Sequence, residues 1–107
     1  MRSIDKKRVD WEKTGINLQL LRNDNVNLRR YVCFKLRYER GECNDDCDKC
    51  LYKMDRSISR AELAEVFNVS ESVVYNWEKG KTPVSIEDLL FYSEIAKVPV
   101  ESILYLE

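Results

Sequence analysis

Four cysteines, Cys33, Cys43, Cys47 and Cys50, are the side chains of this sequence best suited to coordination chemistry, and three of them fall in the short run Cys43-x3-Cys47-x2-Cys50. Thiols so grouped form disulfides in an oxidising compartment and bind metal as thiolates in a reducing one. No charged start followed by an apolar stretch and a small-residue cleavage site is read at the Met1 end, so a cytoplasmic location is expected and metal binding is favoured over disulfides. Zinc takes four tetrahedral sulfur or nitrogen ligands, and with 0 histidines in the chain only the cysteines can supply them. The expectation is a structural zinc ion on Cys33, Cys43, Cys47 and Cys50, stabilising a polar loop with too few apolar residues to fold alone. An iron-sulfur cluster also uses four cysteines, but the spacing follows no ferredoxin-like run. The plain alternative makes Cys33 a small buried residue and leaves the other three without a ligand role.

Other chemistry is poorly provided for. There is no histidine for proton transfer, no glycine-rich phosphate loop, and no carboxylate pair spaced for acid-base work, so an enzyme is not expected. A length of 107 residues with 44% hydrophobic content suits one small domain. No run approaches the roughly 18–20 apolar residues of a membrane span. The net charge of -1 is neutral for nucleic-acid binding, but its distribution is uneven: residues 1–40 hold eleven basic against five acidic side chains, residues 84–107 one against five.

The elements that must position these groups read as helices throughout. Residues 1–9 have the composition of a mobile basic arm, and residues 10–22 a helix carrying Trp11, Ile16, Leu18, Leu20 and Leu21 and weakened by Gly15. Together they make an N-terminal arm and accessory helix over residues 1–26. A second helix runs from a cap at Asn27 to a stop at Gly41, with Leu28, Tyr31, Val32 and Leu36 as its buried stripe. The cysteine-rich segment 42–58 follows as an insertion. Ser85 and Asp88 cap a helix reaching about Lys97 with Ile86, Leu89, Leu90 and Ser93 on one face, and Pro99 opens a short closing helix that turns Val100, Ile103 and Leu104 inward. Tyr105 and Leu106 extend toward a dimer contact.

The most specific stretch is Ser59 to Pro83, SRAELAEVFNVSESVVYNWEKGKTP. It reads as two short amphipathic helices around an Asn68-Val69-Ser70 turn: Leu63, Ala64 and Phe67 share one face of the first, Val73, Val74 and Trp77 one face of the second. Ser59 and Glu62 form a capping box, Ser70 is placed as the second cap, and Gly80 is the stop. Ser59, Leu63, Ala64, Val69, Ser70, Val74, Trp77, Glu78, Gly80 and Pro83 stand where the Cro and phage-repressor (XRE) type of helix-turn-helix has its motif residues, and the sequence resembles that family. It departs at Arg60, where the family usually has glutamine. The end of the second helix, Leu36-Arg37-x-x-Arg40-Gly41, resembles the first helix of the repressor-like fold, separated here from the motif by the insertion.

The resemblance implies an all-α, repressor-like bundle of five to six helices, with a helix-turn-helix domain over residues 27–107. It implies that Glu71, Ser72, Tyr75 and Asn76 face base edges in the major groove of double-stranded DNA, while Arg60, Lys79, Lys81 and Thr82 hold phosphates. Chemistry permits this: Asn76 can pair bidentately with adenine, Glu71 can accept from a cytosine amino group, and Ser72 can serve several bases. Structural roles compete. A carboxylate at Glu71 is favoured by the helix dipole without DNA, Trp77 belongs to a core, Glu78 suits an ion pair, and the basic residues Arg29, Arg30, Lys35, Arg37 and Arg40 suit a solvated face. The implied function is a sequence-specific transcriptional regulator, acting as a homodimer with no membrane partner. The alternative is a protein-interaction module, a partner subunit of a phage, mobile-element or toxin-antitoxin system that keeps the motif as scaffold.

Overall fold

Short polar side chains set the helix starts. The computed structural model describes residues 8–38 and 57–107. Six α-helices lie within them: α1 (Trp11–Asp24), α2 (Val26–Cys33), α3 (Arg60–Phe67), α4 (Glu71–Glu78), α5 (Ile86–Ala96) and α6 (Val100–Ile103). Asp10 caps α1 by accepting from the Lys13 amide, and Asn25 caps α2 by accepting from the Leu28 amide at 2.8 Å. The cap of α2 is therefore Asn25, two residues earlier than the Asn27 expected, because the single extended residue between α1 and α2 serves both ends. Ser59 and Glu62 make the full reciprocal capping box of α3. At α5 the Ser85 hydroxyl accepts from the Asp88 amide and donates to the Asp88 carboxylate, at 3.2 and 3.0 Å.

Three helices stop in the same way. Asn68, Gly80 and Lys97 have positive φ, and the amide beyond each reaches back five residues: Val69 to the Ala64 carbonyl, Lys81 to Asn76, Val98 to Ser93. The Asn68 turn sets α3 against α4 as the motif requires.

A bundle of rings fills the space between them. Phe67 lies 5.6 Å from Trp77, 4.8 Å from Phe91 and 4.5 Å from Tyr92 between ring centroids, and Tyr31 of α2 meets Phe91 edge-on at 5.8 Å. Leu63, Ala64, Phe67, Val74 and Trp77 are buried as their spacing required. On α5 the buried face is Leu89, Tyr92, Ile95 and Ala96, whereas Ile86 and Leu90 are 63% and 54% exposed. The expected stripe is thus corrected: the Tyr92 ring, fully enclosed, outweighs the first-turn isoleucine in choosing which face turns inward.

α2 places Leu28, Val32 and Leu36 in the core, and after Cys33 it widens into π turns over Phe34–Tyr38. In a regular helix each four-residue step of such a stripe advances about 40° around the axis, and the wider turns reduce that drift and keep Leu36 inward. The expected stop at Gly41, the insertion 42–58 up to residue 56, and residues 1–7 of the basic arm lie outside the described residues. The end of the arm is fixed, since Val9 bridges Leu106 antiparallel, with Asp10 donating to the Tyr105 carbonyl at 2.7 Å and Glu107 to Arg8 at 3.0 Å.

Candidate functional site

The buried end of α4 is held by α1. Gly15 of α1 approaches so closely that a Cβ there would stand 2.4 Å from the Glu78 carbonyl oxygen and 2.7 Å from that of Trp77. Gly80, in the left-handed region at φ 73, would meet the Glu12 backbone at 2.5 Å if it carried one. Gly15 therefore does not weaken a helix by accident; it is the point where two backbones touch. The helix lying against the second motif helix is α1, whereas α2, whose end resembles the first repressor helix, lies on α3 and α5.

Charge completes this junction. The Glu78 side chain is fully enclosed and accepts three N–H bonds, from Arg22 Nε at 2.7 Å, Arg22 Nη2 at 3.0 Å and Arg60 Nε at 2.9 Å. Arg22 also donates to the Ile58 carbonyl at 2.8 Å, so one arginine ties α1 to α4 and to the segment entering α3. A buried carboxylate needs such pairing, and the bidentate fork supplies it. Glu78 is accordingly an ion-pair residue, as its position suggested. Nearby, burial first and the Glu78 carboxylate second push the Tyr92 phenol well above its ordinary range, and its hydroxyl has no hydrogen-bond partner among the described residues.

The opposite face of α4 is open. Glu71, Ser72 and Tyr75 are exposed and Asn76 is half-buried. Ser70 stands at the N-cap, but its hydroxyl pairs with that of Ser72 at 3.0 Å and caps no amide, so the first turn of α4 lacks a side-chain acceptor. Lys79, Lys81 and Thr82 follow the helix, all exposed. Three cations converge on the Tyr75 ring: Arg60 at 5.2 Å, Lys81 at 5.4 Å and Lys79 at 5.7 Å from its centroid. Motif residues from both helices are thereby gathered on one surface, backed by the Arg22–Glu78 anchor.

That surface belongs to a recognisable segment. Residues 52–103 match the family model described as Helix-turn-helix. No curated protein and no solved structure matches the chain. The helix-turn-helix match begins after α1 and α2, yet α1 supplies the arginine that neutralises the buried acid of α4. No helix among the described residues is long and apolar enough to cross a membrane.

The metal expectation is overturned. Among the described residues no group of three or more cysteine, histidine, aspartate or glutamate side chains is placed to hold a metal ion. Cys33 is half-buried and packs against the apolar core. Cys43, Cys47 and Cys50 lie outside the described residues. Among the described residues neither zinc nor an iron-sulfur cluster has a structural basis.

Arg22 is the functional residue that periodicity missed. The signal was available: Trp11, Gly15, Leu18 and Arg22 share one face of α1, and Val74, Trp77 and Glu78 one face of α4. Opposite charges on two otherwise apolar faces require each other.

Proposed function

We propose that this protein is a cytoplasmic, sequence-specific DNA-binding transcriptional regulator. α4 enters the major groove, and two copies occupy a two-fold operator and control a promoter by occupancy rather than by chemistry. The observation that carries this reading is the pairing of an open polar face on α4 with three cations at its edge, Arg60, Lys79 and Lys81, in a segment matching the helix-turn-helix family model. Glu71, Ser72 and Asn76 face base edges; Arg60, Lys79, Lys81 and Thr82 anchor phosphates. Asn76 is the strongest reader, because its side-chain amide makes no hydrogen bond within the described residues and so has both donor and acceptor to offer an adenine.

Selection of bound sequences from random duplex DNA, followed by titration of the selected site, tests it. Asn76→Ala should weaken that site by about tenfold or more, with random duplex affected little and the helical content unchanged. An Asn76→Ala protein that binds its selected site like the parent removes the proposed docking. A pure protein-interaction module gives a different result at the outset, with no retention on random duplex DNA at low salt.

A further inference from the structure

We infer that Tyr75 is not a base reader but the platform on which Arg60, Lys79 and Lys81 are assembled into one binding site for a DNA backbone phosphate, an inference that rests on the DNA-binding reading above. Three cations within 6 Å of one ring centroid repel one another and need a common attraction. The face of a phenol ring supplies it through its quadrupole. Tyr75, Lys79 and Lys81 are exposed, so the lysine charges remain wet and are not consumed by burial.

Local carboxylates do not neutralise the group. Glu78 is the only described acid bonded to any of the three, it touches Arg60 alone, and its two oxygens are already bridged by the Arg22 fork. Lys79 and Lys81 form no ion pair among the described residues. Arg60 is oriented from behind: its Nε is fixed on Glu78, and its two terminal nitrogens have no acceptor among the described residues. A site with several unspent donors around an aromatic floor suits a phosphate, which takes hydrogen bonds on each of its oxygens. The departure of this sequence from its family at Arg60 has a purpose here. Glutamine there could accept no cation–π placement and would leave two lysines on the ring.

The test separates ring from hydroxyl. Tyr75→Phe keeps the face, Tyr75→Leu removes it, and both replace an exposed side chain that helical packing does not use. Binding to random duplex DNA is measured as a function of salt, together with Lys81→Ala in each background. The expected result is that Tyr75→Phe binds within about twofold of the parent, while Tyr75→Leu binds about fivefold more weakly with a salt slope lower by about one. Lys81→Ala should cost less in the Tyr75→Leu background than in the parent, since the lysine has already lost its placement. Equal cost in both backgrounds overturns the platform role, and so does a changed base preference in sites selected with Tyr75→Phe, which would make the hydroxyl a reader. If the parent itself binds no duplex at low salt, the DNA-binding reading fails and this inference falls with it.

Discussion

α1 and α2 stand side by side and both lie before the matched segment, yet they are attached to the rest of the protein by different physics. α1 meets α4 backbone to backbone at Gly15, shares a buried carboxylate with it through Arg22, and is stitched to the C-terminal segment by Asn17 to the Ile103 carbonyl and the Tyr105 amide to Thr14, both at 2.9 Å. α2 meets α5 with an apolar stripe and the Tyr31–Phe91 ring pair, and with a hydrogen bond from its Asn25 cap to the Ala96 carbonyl at 3.1 Å. Apolar packing is non-directional and tolerates small slips, whereas a fixed fork of hydrogen bonds and a backbone contact tolerate none. The contrast assigns α1 to the orientation of α4 and α2 to covering the core, and it breaks if changes in α2 disturb DNA binding as much as changes in α1.

The largest effect is expected at Arg22. Arg22→Met preserves much of the bulk but leaves the enclosed Glu78 with a single partner, Arg60, and should cost about 3–5 kcal/mol in urea denaturation. Adding Glu78→Leu should restore much of that loss, since no carboxylate then remains buried. A loss under 1 kcal/mol for Arg22→Met would mean that Arg60 alone satisfies Glu78, and α1 would lose its distinction from α2.

Gly15→Ala is the next test, and there the two levels of reading oppose each other in sign. Helix propensity alone favours alanine by about 1 kcal/mol at a mid-helix glycine. The structure places its Cβ against two backbone carbonyls, which cannot swing aside as a side chain does, so the net result should be destabilisation of about 1–3 kcal/mol, with DNA binding weakened even where the protein is fully folded. A stabilised Gly15→Ala protein would show that the helices can separate freely.

This opposition of sign also marks how much was legible beforehand. The Ser59 capping box, the Asn68 turn, the Gly80 stop and the buried positions Leu63, Phe67, Val74 and Trp77 depend on neighbours within four or five residues, and local spacing announces them. Gly15 and Arg22 depend on Trp77 and Glu78, more than fifty residues on, and a period of 3.6 says nothing about which helix will be met. On α5 both faces carry large apolar residues, so periodicity alone could not choose between Ile86 with Leu90 and Tyr92 with Ile95. Cys33 belongs with these: spacing suggested a ligand, and the structure turns its helix face to the apolar core. The polar face of α4 was legible as exposed, while the meeting of Arg60, Lys79 and Lys81 on Tyr75 joins residues from both ends of the motif and needed coordinates.

The smallest effect, and the sharpest for the comparison, is expected at Tyr31. Tyr31→Leu keeps apolar bulk on α2 and removes the edge-on ring contact with Phe91, worth about 1 kcal/mol. Phe91 stays packed on Phe67 at 4.8 Å, so the loss should not propagate to α4, and duplex affinity measured at a temperature where the protein is fully folded should stay within about twofold of the parent. Gly15→Ala at a matched loss of stability should bind distinctly more weakly. Equal binding by the two variants would mean that stability alone, and not the backbone contact of α1, governs the set of α4, because both proteins would then differ from the parent only in the fraction folded.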